Sequence, residues 1–270
     1  MGDSRLELDG EHVRAQLLSG RGTNGGSSLV VDGTTQSHVN PLDPLDLQLE
    51  YTRLIAAMID GCREPRRPLR VLHLGAGALT IPRYVGATRP GSVQHVVELH
   101  RELFEFVLAA LPLADDVQLT VEFDDGRQAV ERAVQTAGGY DLAVVDVFSG
   151  SISPRHMSTQ GFFASLARLL APDGIVIVNT LATEGLVVSR EVTATLRSGF
   201  ADVLALAAPP VVEGTSLGNI VVAASAVPLP GEEFLRRADT GPRPIGLLRD
   251  ESLVSFVGDA LPRRDGDQRD

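Results

Sequence analysis

The sequence predicts an α/β fold with a mainly parallel sheet, an antiparallel hairpin at one edge of that sheet and a small N-terminal β segment. From residue 69 onward, short apolar runs alternate with amphipathic stretches of helical length. The runs are apolar on both faces, which is typical of strands covered by helices on both sides. The last two runs follow each other without an intervening helix, as paired antiparallel strands do.

The composition and charge exclude several classes of protein. The 270 residues are 43% hydrophobic and 22% charged, enough to build a core without disulfides or metals. All 24 basic residues are Arg and they face 35 acidic ones, a net charge of −11. Such a surface repels phosphate backbones, so no nucleic-acid partner is expected, and it attracts cationic ligands, although the same charge also serves solubility.

Cysteine count and hydropathy add further exclusions. Cys62 is the single cysteine, which rules out an intrachain disulfide and a thiolate zinc cluster. The acidic N-terminus does not resemble a signal peptide, and no apolar run approaches the roughly 20 residues that span a bilayer. We therefore expect no membrane association and a cytoplasmic location.

The chain divides into three predicted units. Residues 1–44 form a β-rich segment of short alternating runs separated by turn residues, residues 45–262 form the main Rossmann-like nucleoside-binding domain, and residues 263–270 form a mobile tail. A helix is expected over residues 45–59, with Asp46 near its start and Gly61 past its end. Strands are predicted near 69–74, 93–97, 117–122, 141–146, 174–178, 201–207 and 218–225. Helices are predicted near 79–87, 100–110, 127–136, 159–170, 186–198 and 247–261, with an irregular stretch at 226–244.

In a parallel sheet of this kind, ligands bind at the carboxyl ends of the strands. After the first strand, Gly75 and Gly77 permit a tight turn and let a nucleoside approach the backbone. Glycines at such turns also serve helix packing, and the third glycine of a dinucleotide fingerprint is absent. Glu98 ends the second strand, about 20 residues further on, where an acid accepts hydrogen bonds from ribose hydroxyls. A carboxylate at a helix N-terminus is the competing interpretation.

Two further strand ends carry acids. Asp125 and Gly126 follow the third strand, where Asp125 is either an acceptor for an adenine amine or an ordinary helix N-cap. Asp146 ends the fourth strand, where a partly desolvated carboxylate is suited to act as a general base or to bind a cation. A turn-forming Asp is the simpler alternative. The six histidines lack zinc-ligand spacing and no Gly-x-Ser-x-Gly elbow is present, so neither a metal site nor an α/β-hydrolase site is predicted.

These turns, together with two sequence stretches, resemble the spermidine synthases, or polyamine aminopropyltransferases, and most closely the actinobacterial spermidine synthase-like proteins. Residues 31–36 read Val-Asp-Gly-Thr-Thr-Gln, similar to the family's Leu-Asp-Gly-x-x-Gln. Residues 140–146 read Tyr-Asp-Leu-Ala-Val-Val-Asp, similar to its Tyr-Asp-x-Ile-x-x-Asp strand. The implied fold is that of the class I S-adenosylmethionine methyltransferases.

The resemblance also implies roles. Decarboxylated S-adenosylmethionine would be the co-substrate, with no tightly bound cofactor, a small amine or polyamine the acceptor, and a homodimer the assembly. Gln36 would touch the thioether side of the nucleoside, Glu98 the ribose and Asp125 the adenine. Asp146 would receive the proton of the attacking amine.

The chain departs from the family pattern at positions implied to bind the amine. Ala78 stands where the family has the acid of Gly-Gly-Gly-Asp-Gly-Gly, and Ser149 stands where it has the second acid of Asp-x-x-Asp. Of the family's Asp-Glu-x-x-Tyr-His-Glu segment, Glu50-Tyr51 alone is reminiscent. Three hypotheses follow: an aminopropyltransferase of altered amine specificity, a methyltransferase using intact S-adenosylmethionine, and a noncatalytic nucleoside-binding protein.

Overall fold

The N-terminal part of the chain forms a four-stranded antiparallel sheet. The computed structural model describes residues 4–7, 14–20, 25–135, 138–148, 153–241 and 243–266. The strands pair in chain order. They are β1 (Ser4–Glu7), β2 (Arg14–Ser19), β3 (Ser27–Val31) and β4 (Thr34–Val39).

A second sheet of eight strands forms the centre of the molecule. Its parallel part consists of β5 (Arg70–Leu74), β6 (Val93–Glu98), β7 (Gln118–Phe123), β8 (Tyr140–Val145) and β9 (Leu170–Ala182). Its antiparallel part consists of β10 (Asp202–Ala207), β11 (Gly218–Ser225) and β12 (Gly246–Leu248). The order across the sheet is β12-β10-β11-β9-β8-β5-β6-β7. Five alternating strands and helices therefore give the predicted parallel sheet.

Helices cover both faces of this sheet because successive strand residues point to opposite sides. Val71 packs with α1, α2 and α8, whereas Leu72 and Leu74 pack with α4, α5, α6 and α9. The helices are α1 (Glu50–Cys62), α2 (Thr80–Thr88), α3 (Arg101–Ala110), α4 (Gly126–Ala133), α5 (Gln160–Leu169), α6 (Val187–Arg197), α7 (Pro209–Val212), α8 (Gly231–Ala238) and α9 (Asp250–Val257). None of the helices in the described part of the chain combines the length and apolar character needed to cross a membrane.

The N-terminal sheet packs directly on the main domain. Leu17, Leu29 and Val39 share a buried cluster with Ala78 and with Leu103 of α3. Polar contacts fix the same junction: the Ser37 hydroxyl accepts a hydrogen bond from the Ala78 amide at 3.2 Å. The predicted β segment is therefore one wall of the main domain.

Several predicted elements differ from the structure. Helix α1 begins at Glu50 because Asp46 lies in a turn, where its carboxylate accepts from the Asn40 side-chain amide. The short helix α7 separates β10 from β11, and the sheet edge beyond them is β12. Helix α8 lies within the stretch predicted to be irregular, because its Pro and Gly stand at the helix start rather than in a loop.

The C-terminal residues also differ from the prediction of a mobile tail. Arg263 is 5% exposed and donates to the Glu191 carboxylate at 2.9 Å. Asp265 accepts from the Thr159 hydroxyl at 2.8 Å. The prediction followed from the terminal position of these residues, but the two charged side chains have partners on or next to α4, α5 and α6. Residues 267–270 lie outside the described residues.

Candidate functional site

A cavity of about 420 Å³ lies at the carboxyl ends of the parallel strands, beneath the N-terminal sheet. All seven site residues predicted from the sequence line it: Gln36, Gly75, Gly77, Glu98, Asp125, Gly126 and Asp146. Its described lining includes six carboxylates and no arginine; the carboxylates are Asp32, Glu50, Glu98, Asp124, Asp125 and Asp146. The cavity is therefore suited to a polar ligand that carries positive charge.

The sheet order spaces the acids along the cavity. Asp125 follows β7, Glu98 ends β6 and Asp146 follows β8, with β5 between the last two. Neighbouring strands lie about 4.8 Å apart, so Asp125 and Asp146 mark ends of a site on the order of 14 Å long. An elongated ligand lying across these strand ends would meet the acids in the order Asp125, Glu98, Asp146.

The turn after β5 depends on its glycines. Gly75 has φ +90°, and a Cβ there would overlap the carbonyl oxygen of Asp146. Gly77 has φ +50°, and a Cβ there would lie 2.5 Å from the Ser37 hydroxyl oxygen. Side chains other than hydrogen would separate this turn from both β8 and β4. Close packing of three segments, rather than the turn alone, therefore requires glycine.

Glu98 joins that turn to helix α3. Its Oε2 accepts from the Ala76 amide at 2.9 Å, and its Oε1 accepts from the His100 amide at 2.8 Å. A carboxylate has about four acceptor positions, so two are left for a ligand. The side chain is thus held rigidly at the cavity wall, and it serves the loop before α3 as well.

Asp125 is the N-cap of α4. Its Oδ1 accepts from the amides of Arg127 and Gln128, each at 3.1 Å, and its Oδ2 lies 2.8 Å from His156 Nε2. Burial alone would raise the pKa of Asp125, but the hydrogen bonds from His156 and the helix amides outweigh it, and the pKa lies below its ordinary value. The capping interpretation is correct for this side chain, which lines the cavity at the same time.

Asp146 is held by two asparagines. Asn179 Nδ2 donates to Asp146 Oδ1 at 2.8 Å, and Asn219 Nδ2 donates to Asn179 Oδ1 at 3.0 Å. Burial raises the pKa of Asp146 to about 6, against the opposing effect of the Asn179 hydrogen bond. The side-chain amide of Asn179 is thus a fixed donor to this carboxylate. The carboxylate is oriented, partly desolvated and able to accept a proton near neutral pH.

Tyr51 and Gln36 complete this end of the cavity. The Tyr51 hydroxyl donates to the Gln36 carbonyl oxygen at 2.9 Å. Burial, and then the nearby charge of Asp146, raise the pKa of Tyr51 well above its ordinary value. The phenol therefore stays protonated and acts as a donor that holds β4 over the site.

Sequence reasoning missed three of the polar residues in the lining. Asn179 directly follows the apolar strand predicted at 174–178, as Asp146 follows the fourth one, so the same signal was available; in the structure it lies within β9. Asn219 lies at the start of β11, and the start of an antiparallel strand shares an edge with the ends of parallel ones. His156 was considered only as a metal ligand, whereas it contacts Asp125.

The two departures on the amine side have different outcomes. Ala78 is fully buried in the cluster beneath the N-terminal sheet and is absent from the cavity lining. An acid at that position would meet apolar side chains in this backbone conformation. Ser149 lies outside the described residues.

Comparisons with known proteins find polyamine aminopropyltransferases among the similar curated proteins. No protein-family model matches the chain. A polyamine aminopropyltransferase of Chromobacterium violaceum is 26% identical over 148 residues, 54% of either chain. A polyamine aminopropyltransferase of Pyrobaculum calidifontis is 32% identical over 120 residues, 41% of this chain and 40% of that one. The match thus spans about half the length of these curated relatives or less.

A solved structure extends the similarity to the whole chain. A probable spermidine synthase from Corynebacterium glutamicum superposes with a TM-score of 0.86 at 28% identity, covering 97% of this chain and 96% of the other. The curated relatives and this structure support the spermidine synthase family, which the sequence resembles. The predicted fold class, related to that of the class I methyltransferases, is confirmed. The curated relatives are named as transferases, and the roles of individual residues rest on the geometry described above.

The raised pKa of Asp146 predicts a specific pH dependence of stability. The folded protein binds this proton up to about pH 6, whereas the unfolded chain releases it near the ordinary value of 3.8. Raising the pH from 4 to 7 therefore costs the wild type about 2 to 3 kcal/mol of unfolding free energy relative to Asp146→Asn. Urea denaturation of both proteins at the two pH values measures the difference. Parallel stability profiles would contradict the assignment.

Proposed function

We propose that the chain transfers the aminopropyl group of decarboxylated S-adenosylmethionine to an amine such as putrescine and releases methylthioadenosine. The observation that carries the proposal is the environment of Asp146. This carboxylate is oriented by Asn179, has a raised pKa, and faces a cavity whose described lining holds five further carboxylates and no arginine. Such a site attracts a cationic amine and accepts a proton from it.

The order of the acids along the cavity supports the donor's orientation. The adenine would lie against Asp125 and Gly126, the ribose hydroxyls would use the two open acceptor positions of Glu98, and the sulfonium would lie near the turn of Gly75 and Gly77. Gln36 would contact the thioether side from β4. The aminopropyl chain then points toward Asp146, where the acceptor amine enters.

The proposed reaction is an in-line displacement. The lone pair of the acceptor nitrogen attacks the propyl carbon bonded to the sulfonium, the new C–N bond forms, and the C–S bond breaks. The electron pair of that bond returns to sulfur, which becomes the neutral thioether of methylthioadenosine. The proton lost from nitrogen passes to the Asp146 carboxylate, because its raised pKa suits it to accept a proton. Alignment and desolvation of the two reactants supply the rest of the rate enhancement.

The charge of the cavity also separates two possible donors. Intact S-adenosylmethionine carries a carboxylate, which would find no guanidinium among the described lining residues and several negative neighbours. The decarboxylated donor lacks that group and keeps an ammonium that suits the acids. The cavity therefore favours aminopropyl transfer over the methyl transfer considered from the sequence.

This preference is measurable with two ligands that differ by one group. S-adenosyl-3-thiopropylamine, which lacks only the carboxylate of S-adenosylhomocysteine, should bind at least about tenfold more tightly, a difference of about 1.4 kcal/mol. Isothermal titration calorimetry of both ligands gives the ratio directly. Tighter binding of S-adenosylhomocysteine would contradict the proposal and favour a methyltransferase.

The role of Asp146 is tested by turnover. Asp146→Asn keeps the side-chain shape and removes the base, so turnover should fall by about 100-fold or more. Asp141→Asn is the matched control, because Asp141 lies on the same strand but at its other end, bonded to the Arg70 amide. Mass spectrometry of reactions containing decarboxylated S-adenosylmethionine and a panel of di- and polyamines detects methylthioadenosine and the amine lengthened by one aminopropyl unit.

The outcomes of that assay separate the remaining hypotheses. Equal turnover in wild type and Asp146→Asn would remove Asp146 from the mechanism. Nucleoside binding without product across the amine panel would favour the noncatalytic hypothesis. The homodimer implied by the resemblance and the cytoplasmic location predicted from the sequence stay predictions.

A further inference from the structure

Residues 263–265, here called the C-terminal clamp, join three elements that meet beside the cavity. The Asp265 carboxylate accepts from Arg127 of α4 at 2.6 Å, from the hydroxyl of Thr159 at 2.8 Å and from the amide of Gly161 at 3.0 Å. Arg127 is 138 positions away in sequence, and Thr159 is the N-cap of α5. Asp265 thereby ties the first turn of α4 to the first turn of α5.

Arg263 fixes the clamp to α6 and to Ser158. Its guanidinium donates to Glu191 of α6 at 2.9 Å and to the Ser158 hydroxyl at 2.7 Å. Its own amide donates to the Thr195 hydroxyl, and its carbonyl accepts from the Gln160 amide, each at 2.8 Å. These bonds fix the backbone of the clamp, so the position of Asp265 is determined by α5 and α6.

The elements held by the clamp carry one end of the cavity wall. Arg127 also donates to the His156 carbonyl at 3.1 Å, and His156 contacts the cavity-lining carboxylate of Asp125 through its ring. Met157, next in the chain, packs against Gly126 so closely that a Cβ there would overlap its methyl group. The clamp, Arg127 and the 3₁₀ turn Arg155–Ser158 therefore set the geometry of Asp125 and Gly126.

We propose that Asp265 is a positioning residue for the adenine end of the cavity, acting through Arg127 and His156. This inference rests on the proposed function only for the identity of the ligand. The side chain of Asp265 is 45% exposed and that of Arg127 is 24% exposed, so the ion pair itself contributes little to global stability. Its effect is local, on the distance between α4 and the 3₁₀ turn.

Gly161 provides a second, independent way to displace Asp265. A Cβ at this position would overlap the Asp265 carboxylate, so Gly161→Ala removes the contact without changing any charge. Alanine is also a better helix former than glycine, so this variant favours α5. If Asp265 only stabilised the fold, Gly161→Ala would keep its affinity for methylthioadenosine. If Asp265 positions the adenine end of the cavity, Gly161→Ala should lose affinity as Asp265→Asn does.

Asp202→Asn is the matched control. Asp202 also accepts from one arginine, Arg249 at 2.6 Å, and from one backbone amide, Leu229 at 2.7 Å, and none of these residues lines the cavity. It reports the cost of losing a comparable ion pair elsewhere in the fold.

Hydrogen-exchange mass spectrometry of the ligand-free full-length proteins tests the clamp without reference to any ligand. Asp265→Asn and Gly161→Ala should each accelerate amide exchange over residues 153–161 and 125–128, and Asp202→Asn should not. Unchanged exchange at these segments in both variants, or acceleration spread evenly over the whole chain, would overturn the proposal.

Methylthioadenosine binding and steady-state kinetics test the consequence. Both clamp variants should bind methylthioadenosine about fivefold or more weakly and raise the KM of the nucleoside donor. Their kcat at saturating donor should stay within about twofold of wild type. Wild-type affinity in both variants would overturn the positioning role. If the wild type itself bound no methylthioadenosine, the proposed function would fail, and the exchange measurement alone would decide for or against the clamp.

Discussion

The close approach of three backbone segments around Gly75 is the constraint on which the site depends. The turn after β5 packs against the backbone of Asp146 with no room for a β-carbon, while the Glu98 carboxylate holds the next amide of the same turn. Strand β8 and strand β6 are thus fixed on either side of one glycine turn. The position of the proposed base relative to the proposed ribose acid follows from this packing and not from any flexible loop.

Charge then gives this rigid frame its chemistry. Six carboxylates in one cavity repel one another, but hydrogen bonds stabilise two of them. Glu98 accepts from two backbone amides, and Asp125 accepts from the N-terminus of α4 and contacts His156. Asp146 receives one amide hydrogen bond and is otherwise desolvated, so its pKa rises to about 6. The same residue type therefore serves as a fixed acceptor at one end of the cavity and as a proton acceptor at the other.

The sequence predicted the parallel sheet because buried strands and amphipathic helices leave distinct periodicities. It located the acids at strand ends because a carboxylate after an apolar run is a local signal. It missed Asn219, whose place depends on the direction of β11. It also misread residues 263–266, because contacts such as that of Asp265 with Arg127 join positions far apart in the chain and leave no local pattern.

A crystal structure with methylthioadenosine would show most directly how a nucleoside lies across the strand ends. We predict adenine against Asp125 and Gly126, both ribose hydroxyls on the Glu98 carboxylate, and the thioether directed toward Asp146 and Gln36. A nucleoside bound in the reverse direction, or outside this cavity, would contradict the account even if the protein transferred an aminopropyl group.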